Sequence, residues 1–366
     1  MFLKKIIKFF PGIVLAYIFY LLSIVVNNII GTELLGLEKS PISTVMIAIL
    51  LGIIMGNAFT PRPGMVLGLD FTQKYILKLG IIFLGIRLSF AEFIKFGTIA
   101  IPLIIVCIIS VLVIIKLLIK KFPISSKMSY LIAIGTSVCG ATAIVATAPV
   151  INAKKSEVAY AIANITLFGI LAMLVYPYFS NFYFENNAIQ SGLFLGTAIH
   201  ETSQVAAAGL IYDQQFNSPE TLNVATVTKL IRNTFLVIMI PLFAFLYNRG
   251  EIKKNDYSIL SIFPYFVLGF IGMIILRNLG DQIFIINENN NYEIWQNFII
   301  IIKDLATVFL TMAMAAVGIS INLSELKSMG YKPFIVGFIS AITVGLVSIL
   351  TMQFFDQIIK FDYLIF

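Results

Sequence analysis

Two stretches of this 366-residue chain place small and polar residues inside otherwise apolar runs. The first is Gly135-Thr136-Ser137-Val138-Cys139-Gly140-Ala141-Thr142-Ala143. The second is Gly196-Thr197-Ala198-Ile199-His200-Glu201-Thr202-Ser203-Gln204. Hydroxyls and freed backbone N–H groups in such stretches suit an oxyanion, and freed carbonyls suit Na+. His200 is the only histidine of the chain, and Glu201 follows it. Histidine changes charge near neutral pH, so the pair can relay a proton. Lys229, Arg232 and Asn233 come next, with the i, i+3, i+4 spacing of one helix face. A guanidinium there can hold a tetrahedral or carboxylate anion bidentately. The substrate-binding candidates are therefore Thr136, Ser137, Gly140, Thr142, Thr197, Thr202, Ser203, Gln204 and Arg232, with His200 and Glu201 as the coupling pair.

Each of these features has a plainer counterpart. Small residues also make tight helix seams in membranes, and a lone histidine often serves packing. Lys229 is near enough to a span end to snorkel, whereas Arg232 lies deeper. Lys303 and Asp304 read as an internal ion pair or as the frayed outer end of a span. Cys107 and Cys139 sit in apolar runs without metal-ligand spacing, so neither a metal nor a cofactor is expected.

The elements that position these residues must be membrane helices. The chain is 59% hydrophobic and 12% charged, with mean hydropathy +0.98. Soluble domains carry about 25% charged residues. Runs of the ~20 apolar residues that cross a bilayer recur from end to end, and the alternation of a β-barrel strand is absent. The net charge of +7 fits basic residues collecting in cytoplasmic loops. No basic stripe lies on a soluble domain, so nucleic acid is not an expected partner. The basic start, Met1 to Phe10, precedes a run to Ile30 that is too long for a signal-peptide core, so it reads as an uncleaved first span.

The fold class expected is an all-α polytopic membrane protein in a single transporter domain, residues 1–366. It has about nine full spans plus two interrupted segments. The spans are Phe10–Ile30, Ile42–Ala58, Tyr75–Leu88, Thr98–Ile115, Val158–Phe179, Val224–Leu246, Ile259–Leu276, Phe298–Ile321 and Pro333–Phe354. The interrupted segments, Met128–Ile151 and Gly192–Tyr212, either cross the membrane as broken helices or re-enter as hairpins. With the N-terminus in the cytoplasm, hairpins keep Lys154 and Lys155 inside and leave the lysine-free loops Ser180–Ile189 and Asp213–Asn223 outside. Crossing would export that lysine pair, so the hairpin arrangement obeys the positive-inside rule better.

Internal repeats point the same way. Gly85-Ile86-Arg87-Leu88-Ser89-Phe90-Ala91-Glu92, ending at Gly97, aligns at constant offset with Gly318-Ile319-Ser320-Ile321-Asn322-Leu323-Ser324-Glu325, ending at Gly330. Gly135-Thr136 aligns with Gly196-Thr197, each followed by a span with a late proline, Pro177 or Pro241. Pseudo-repeats of roughly 40–180 and 188–355, inverted in the membrane, are the pattern of secondary transporters.

Three blocks carry a family resemblance: Leu77–Phe90, Gly135–Ile144 and Gly196–Val205. They resemble the YeiH family of bacterial inner-membrane proteins, whose members carry a sulfate-exporter label. That group is similar in outline to bile-acid and sodium/proton transporters. The resemblance implies two inverted repeats and a site built from interrupted helices.

The expected function is secondary transport of a small anion, such as sulfate, a similar oxoanion or a small organic acid, by alternating access. No Walker A motif is present, so a gradient of H+ or Na+ is the expected drive. The lipid bilayer is the surroundings, and a homodimer is an allowed assembly. One alternative is a cation/proton antiporter with Glu201 as ion carrier. Another, from a different class, is an intramembrane enzyme using His200 and Glu201, although no His-Glu-x-x-His pair or nucleophile motif accompanies them.

Overall fold

The structure is a computed structural model describing residues 2–37, 40–59, 61–121, 125–247, 264–285, 292–322, 324 and 331–359. The chain is an all-α multi-pass membrane protein. Among the described residues, seven helices are long and apolar enough to cross a bilayer.

The helices in chain order are α1 (Phe2–Asn28), α2 (Thr44–Ala58), α3 (Pro63–Phe71), α4 (Leu77–Leu84) and α5 (Phe90–Lys121). Next come α6 (Ser126–Ser137), α7 (Ala141–Thr147), α8 (Lys155–Tyr183), α9 (Ala188–Ala198) and α10 (Thr202–Phe216). The remainder are α11 (Pro219–Thr234), α12 (Leu236–Tyr247), α13 (Phe266–Ile285), α14 (Tyr292–Ile319) and α15 (Tyr331–Ile359). Each of the nine expected spans coincides with one or more of these. Part of the seventh, residues 259–263, lies outside the described residues, as do Leu323, Glu325 and Gly330 of the first repeat.

The third span differs most from expectation. It is helical from Pro63, through a π-turn at Thr72–Ile76, to a 3-10 turn at Gly85–Arg87. Asp70, Gln73 and Lys74 interrupt its apolar run, which hid the early start. Their polarity has local outlets. Lys74 pairs with Asp70 at 3.4 Å on the exposed side, and the Gln73 amide donates to the Ala316 carbonyl at 2.9 Å and to Ser320 Oγ at 2.6 Å. The repeated glutamate Glu92 has a capping role: its Oε2 accepts from the Ser89 backbone N–H and hydroxyl, both at 2.8 Å, which starts α5.

Two compact units are interleaved along the chain. The first comprises Met1–Ile94, Leu210–Pro219 and Tyr265–Ser324. Glycines let its helices touch backbone to backbone. A Cβ on Gly52 of α2 would stand 2.5 Å from the Ala315 carbonyl oxygen of α14. The facing Gly318 is equally tight, its Cβ falling 3.1 Å from Gly52 Cα. Such small-residue seams replace the hydrophobic drive that lipid removes.

The second unit comprises Lys95–Gly209, Glu220–Pro264 and Glu325–Phe366. Its axis is α8, whose 29 residues span about 42 Å. Both interrupted segments fold back as hairpins against it. At the start of α8, Lys127 at the head of α6 donates to the Asn152 carbonyl beyond α7 at 2.6 Å. There Glu157 caps α8 by accepting the Lys154 N–H at 2.7 Å and also accepts the Ser125 hydroxyl. Thus α6 and α7 enter and leave on one side. At the other end of α8, Ser191 of α9 donates to the Ser180 carbonyl at 3.3 Å. α9 and α11 start together, with Thr221 donating to the Ala188 carbonyl at 3.1 Å, and they run side by side. α10 returns along α11, its Gly209 packed on Leu222. The two hairpins therefore start from opposite ends of α8.

Single cysteines at the exposed positions Ser156 and Asn186, in a background without Cys107 and Cys139, test this arrangement. With the N-terminus in the cytoplasm, an impermeant thiol reagent added to intact cells should label Asn186→Cys and leave Ser156→Cys unlabelled. Labelling of both from outside would disprove that α8 spans the membrane between them.

Candidate functional site

The hairpin tips meet at residues 138–140 and 199–201. Gly169, the central residue of α8, packs on the Gln204 side chain beside one tip, and Gly135 near the other packs on Ile165. The tips therefore stand about halfway along the spanning axis. Gly140 has φ +63°, a conformation that needs glycine, and its missing side chain leaves room for Glu201 Cγ and Oε1. Thr197 donates to the Leu193 carbonyl at 2.7 Å and shares a 2.7 Å hydrogen bond with Ser348 of α15, which fixes α9 laterally.

A helix that ends inside a membrane leaves carbonyls without N–H partners, and in lipid each would be costly. Here Lys229 and Arg232 take them. Lys229 Nζ donates to the carbonyls of Val138 at 2.9 Å, Ile199 at 3.0 Å, and His200. Arg232 Nε donates to Ser137 at 2.9 Å, Nη1 to Thr197 at 2.5 Å and Ile199 at 3.2 Å, and Nη2 to Thr136. Both side chains are fully buried. Each cation thus bridges the C-terminal ends of α6 and α9, where the helix dipoles place partial negative charge. The i, i+3 spacing on α11 sets the two heads at successive depths over the crossing point.

From the sequence, Arg232 is a candidate to hold an anion bidentately. In the structure the fork is spent on four carbonyls, because the crossing of two helix ends supplies acceptors on every side. Glu201 turns the other way: its Oε1 accepts the Ala141 N–H at 3.1 Å at the head of α7. Its own N–H donates to Gln204 Oε1 at 3.3 Å, and the Gln204 amide reaches the Thr166 carbonyl at 3.3 Å. Asn233 donates to Thr202 Oγ1 at 2.8 Å.

The other candidates divide by exposure. Thr136, Ser137, Thr197, His200, Ser203 and Gln204 are buried, and the Ser137 hydroxyl is turned back on the Ile134 carbonyl at 3.3 Å. Thr142 is exposed, and Glu201 and Thr202 are partly so. The open edge of the tips is therefore Thr142, Glu201 and Thr202, flanking Gly140. His200 Nδ1 and Asn233 Oδ1 are buried without a hydrogen-bond partner among the described residues. Sequence reasoning missed the carbonyls of Val138 and Ile199 and the hydroxyl of Ser348. Only the charges on α11 hinted that something nearby needed donors.

Arg232→Met should leave the carbonyls of Thr136, Ser137 and Thr197 unpaired, at about 1–3 kcal/mol each. The expected result is a large fall in the thermal unfolding midpoint of the purified protein, partly recovered in Arg232→Lys. A wild-type midpoint in Arg232→Met would show that these carbonyls do not depend on the guanidinium.

Comparison with known proteins agrees with the resemblance. A family model described as "Conserved hypothetical protein 698" matches residues 11–337. A UPF0324 membrane protein of Streptococcus agalactiae is 36% identical over 94% of this chain and 96% of its own length. Others from Fusobacterium nucleatum and Clostridium tetani are 35% identical (86% of this chain, 90% of theirs) and 28% identical (96% and 99%). No solved structure matches. With so much of its length aligned to these proteins, the chain belongs to the YeiH/UPF0324 family of membrane proteins.

Proposed function

We propose that this protein is a secondary transporter of a small anion, sulfate or a similar oxoanion or a small organic acid, working by alternating access in a bacterial inner membrane. The observation that carries the reading is the charge balance at the hairpin tips. The starts of α7 and α10 contribute about half a positive charge each, and the ends of α6 and α9 about half a negative charge each, so the four cancel. The buried side chains of Lys229 and Arg232 bring two positive charges to the tips, and Glu201 brings one negative charge. His200 aside, about one positive charge is left over at mid-membrane depth, where an unbalanced charge is costly. A monovalent anion, or a divalent one with a coupled cation, removes the imbalance.

The anion docks at the open edge, against the hydroxyls of Thr142 and Thr202 and the first N–H groups of α7 and α10. Glu201 already occupies the Ala141 N–H as an internal anion. Its protonation frees that donor and raises the surplus to two positive charges, so a divalent anion enters together with one proton. Lys229 and Arg232 do not touch the substrate; they hold the breaks open and supply the field. The hairpins enter from opposite ends of α8, which gives each side of the membrane its own access arm. Na+ as coupling ion has one specific observation in its favour: Asn233 Oδ1 lies beside Thr202 with no donor and would serve as a cation ligand.

Counterflow of radiolabelled sulfate and small carboxylates into proteoliposomes tests the reading. Wild-type protein should show uptake driven by a pH gradient. Glu201→Gln, locked in the neutral form, should retain anion exchange and lose the response to the gradient. Transport that responds to Na+ or pH with no anion requirement would favour a cation/proton antiporter and defeat the anion proposal.

A further inference from the structure

The first unit holds a second charged cluster, separate from the hairpin tips. Arg87, closing the 3-10 turn after α4, donates Nη1 to Asp213 at 3.0 Å. Arg277 of α13 donates Nε to Asp281 at 2.6 Å and Nη1 to the Ile86 carbonyl at 3.2 Å. The indole N–H of Trp295 takes the other Asp281 oxygen at 2.9 Å. Trp295 is itself stacked between Phe284 and Phe298, ring centroids 5.6 and 5.5 Å away.

Lys303 is the group that this network leaves over. It is partly buried on α14, about two turns beyond Trp295. It lies within electrostatic range of Arg87, Arg277, Asp213 and Asp281. Among the described residues it makes no ion pair, since both carboxylates are committed to the arginines. Its neighbour Asp304 lies in range of Tyr20 on α1 instead. The Nε of Arg87 is also buried without an acceptor. Three cations thus stand in range of two carboxylates, and among the described residues Lys303 Nζ and Arg87 Nε have no acceptor. Withdrawing a guanidinium edge such as Arg87 Nε from water without a partner is unfavourable by several kcal/mol, and the partly exposed Lys303 leaves the cluster open on one side.

We propose that an oxyanion with a phosphate- or sulfate-type group completes this cluster, accepting from Lys303 Nζ and Arg87 Nε. A tetrahedral oxyanion offers lone pairs in several directions, which suits an ammonium and a guanidinium edge together. Its source is a free anion or a phospholipid headgroup. A tryptophan and an arginine at one level are the usual company of the headgroup region. The site lies wholly within the first unit and does not rest on the transport reading.

Purified protein in uncharged detergent provides the test. Thermal unfolding is followed against inorganic phosphate and sulfate at constant ionic strength, and in mixed micelles carrying phosphatidylglycerol or phosphatidylcholine. Among the described residues Lys303 has no ion-pair partner to lose, so Lys303→Gln should fold, and Lys303→Arg keeps the charge as a second variant. The expected result is stabilisation of the wild type by an anionic probe, with apparent affinity about tenfold to a hundredfold weaker in Lys303→Gln. Binding should be retained in Lys303→Arg. The Lys303 variants are compared in a Thr202→Val background, which weakens the proposed anion site at the hairpin tips, so that the change is read on the second site alone. Stabilisation by phosphate or sulfate identifies a free anion as the source, and stabilisation by phosphatidylglycerol alone identifies the lipid. Wild-type affinity in Lys303→Gln, or no stabilisation of the wild type by any of these probes, overturns the proposal.

Discussion

A helix cannot stop in the middle of a membrane unless something replaces the hydrogen bonds it gives up. Two helices of this chain stop there, at Ser137 and Ala198, and the arrangement of the second unit answers that requirement. Six carbonyls, from Thr136, Ser137, Val138, Thr197, Ile199 and His200, receive their donors from Lys229 and Arg232. The two long cationic side chains are paired with dipoles rather than with carboxylates. That keeps them buried without an equal number of buried anions, and it ties both interrupted helices to one face of α11.

The small residues of the tips follow from the same constraint. Cations that reach two helix ends at once require those ends to be close, so Gly135, Gly140 and Gly169 line the crossing where side chains would collide with Ile165, Glu201 and Gln204. The hydroxyls then divide into two kinds. Thr197 and Ser137 spend theirs on neighbouring carbonyls or on Ser348, which stabilises the hairpin legs. Thr142, on the open edge, is exposed, and Thr202 is partly so, its Oγ1 accepting from Asn233. A site assembled this way has its backbone tied by the two cations and the side chain of Glu201 on its open edge.

Both clusters of this protein carry more cation than carboxylate. At the hairpin tips both cation heads are hydrogen-bonded to helix-end carbonyls. In the first unit the surplus rests on Lys303 and on one edge of Arg87, with Asp213 and Asp281 already taken. Ordinary snorkelling would send a lone lysine to the nearest water. Lys229 instead turns inward to three carbonyls, which shows how strongly unpaired backbone oxygen competes for an ammonium in this environment.

Much of the architecture was legible in the residues themselves. Apolar run length set the spans, because each must match the hydrocarbon thickness. The polar centres of Gly135–Thr142 and Gly196–Gln204 located the breaks, because no simple span tolerates them. The Lys154–Lys155 pair favoured hairpins, and both segments do fold back. The early start of the third span was obscured because Asp70, Gln73 and Lys74 look like a loop until partners for them are known. Roles that depend on distant partners were set only by the tertiary structure. Thr197 meets Ser348 across 151 positions, and Arg87 meets Asp213 across 126. Arg232 was visible as a charge too deep to snorkel, yet its task was not, because its acceptors are backbone carbonyls. Every residue has one, so the sequence carries no mark of those that two crossing helices leave unpaired; only the packing decides which they are.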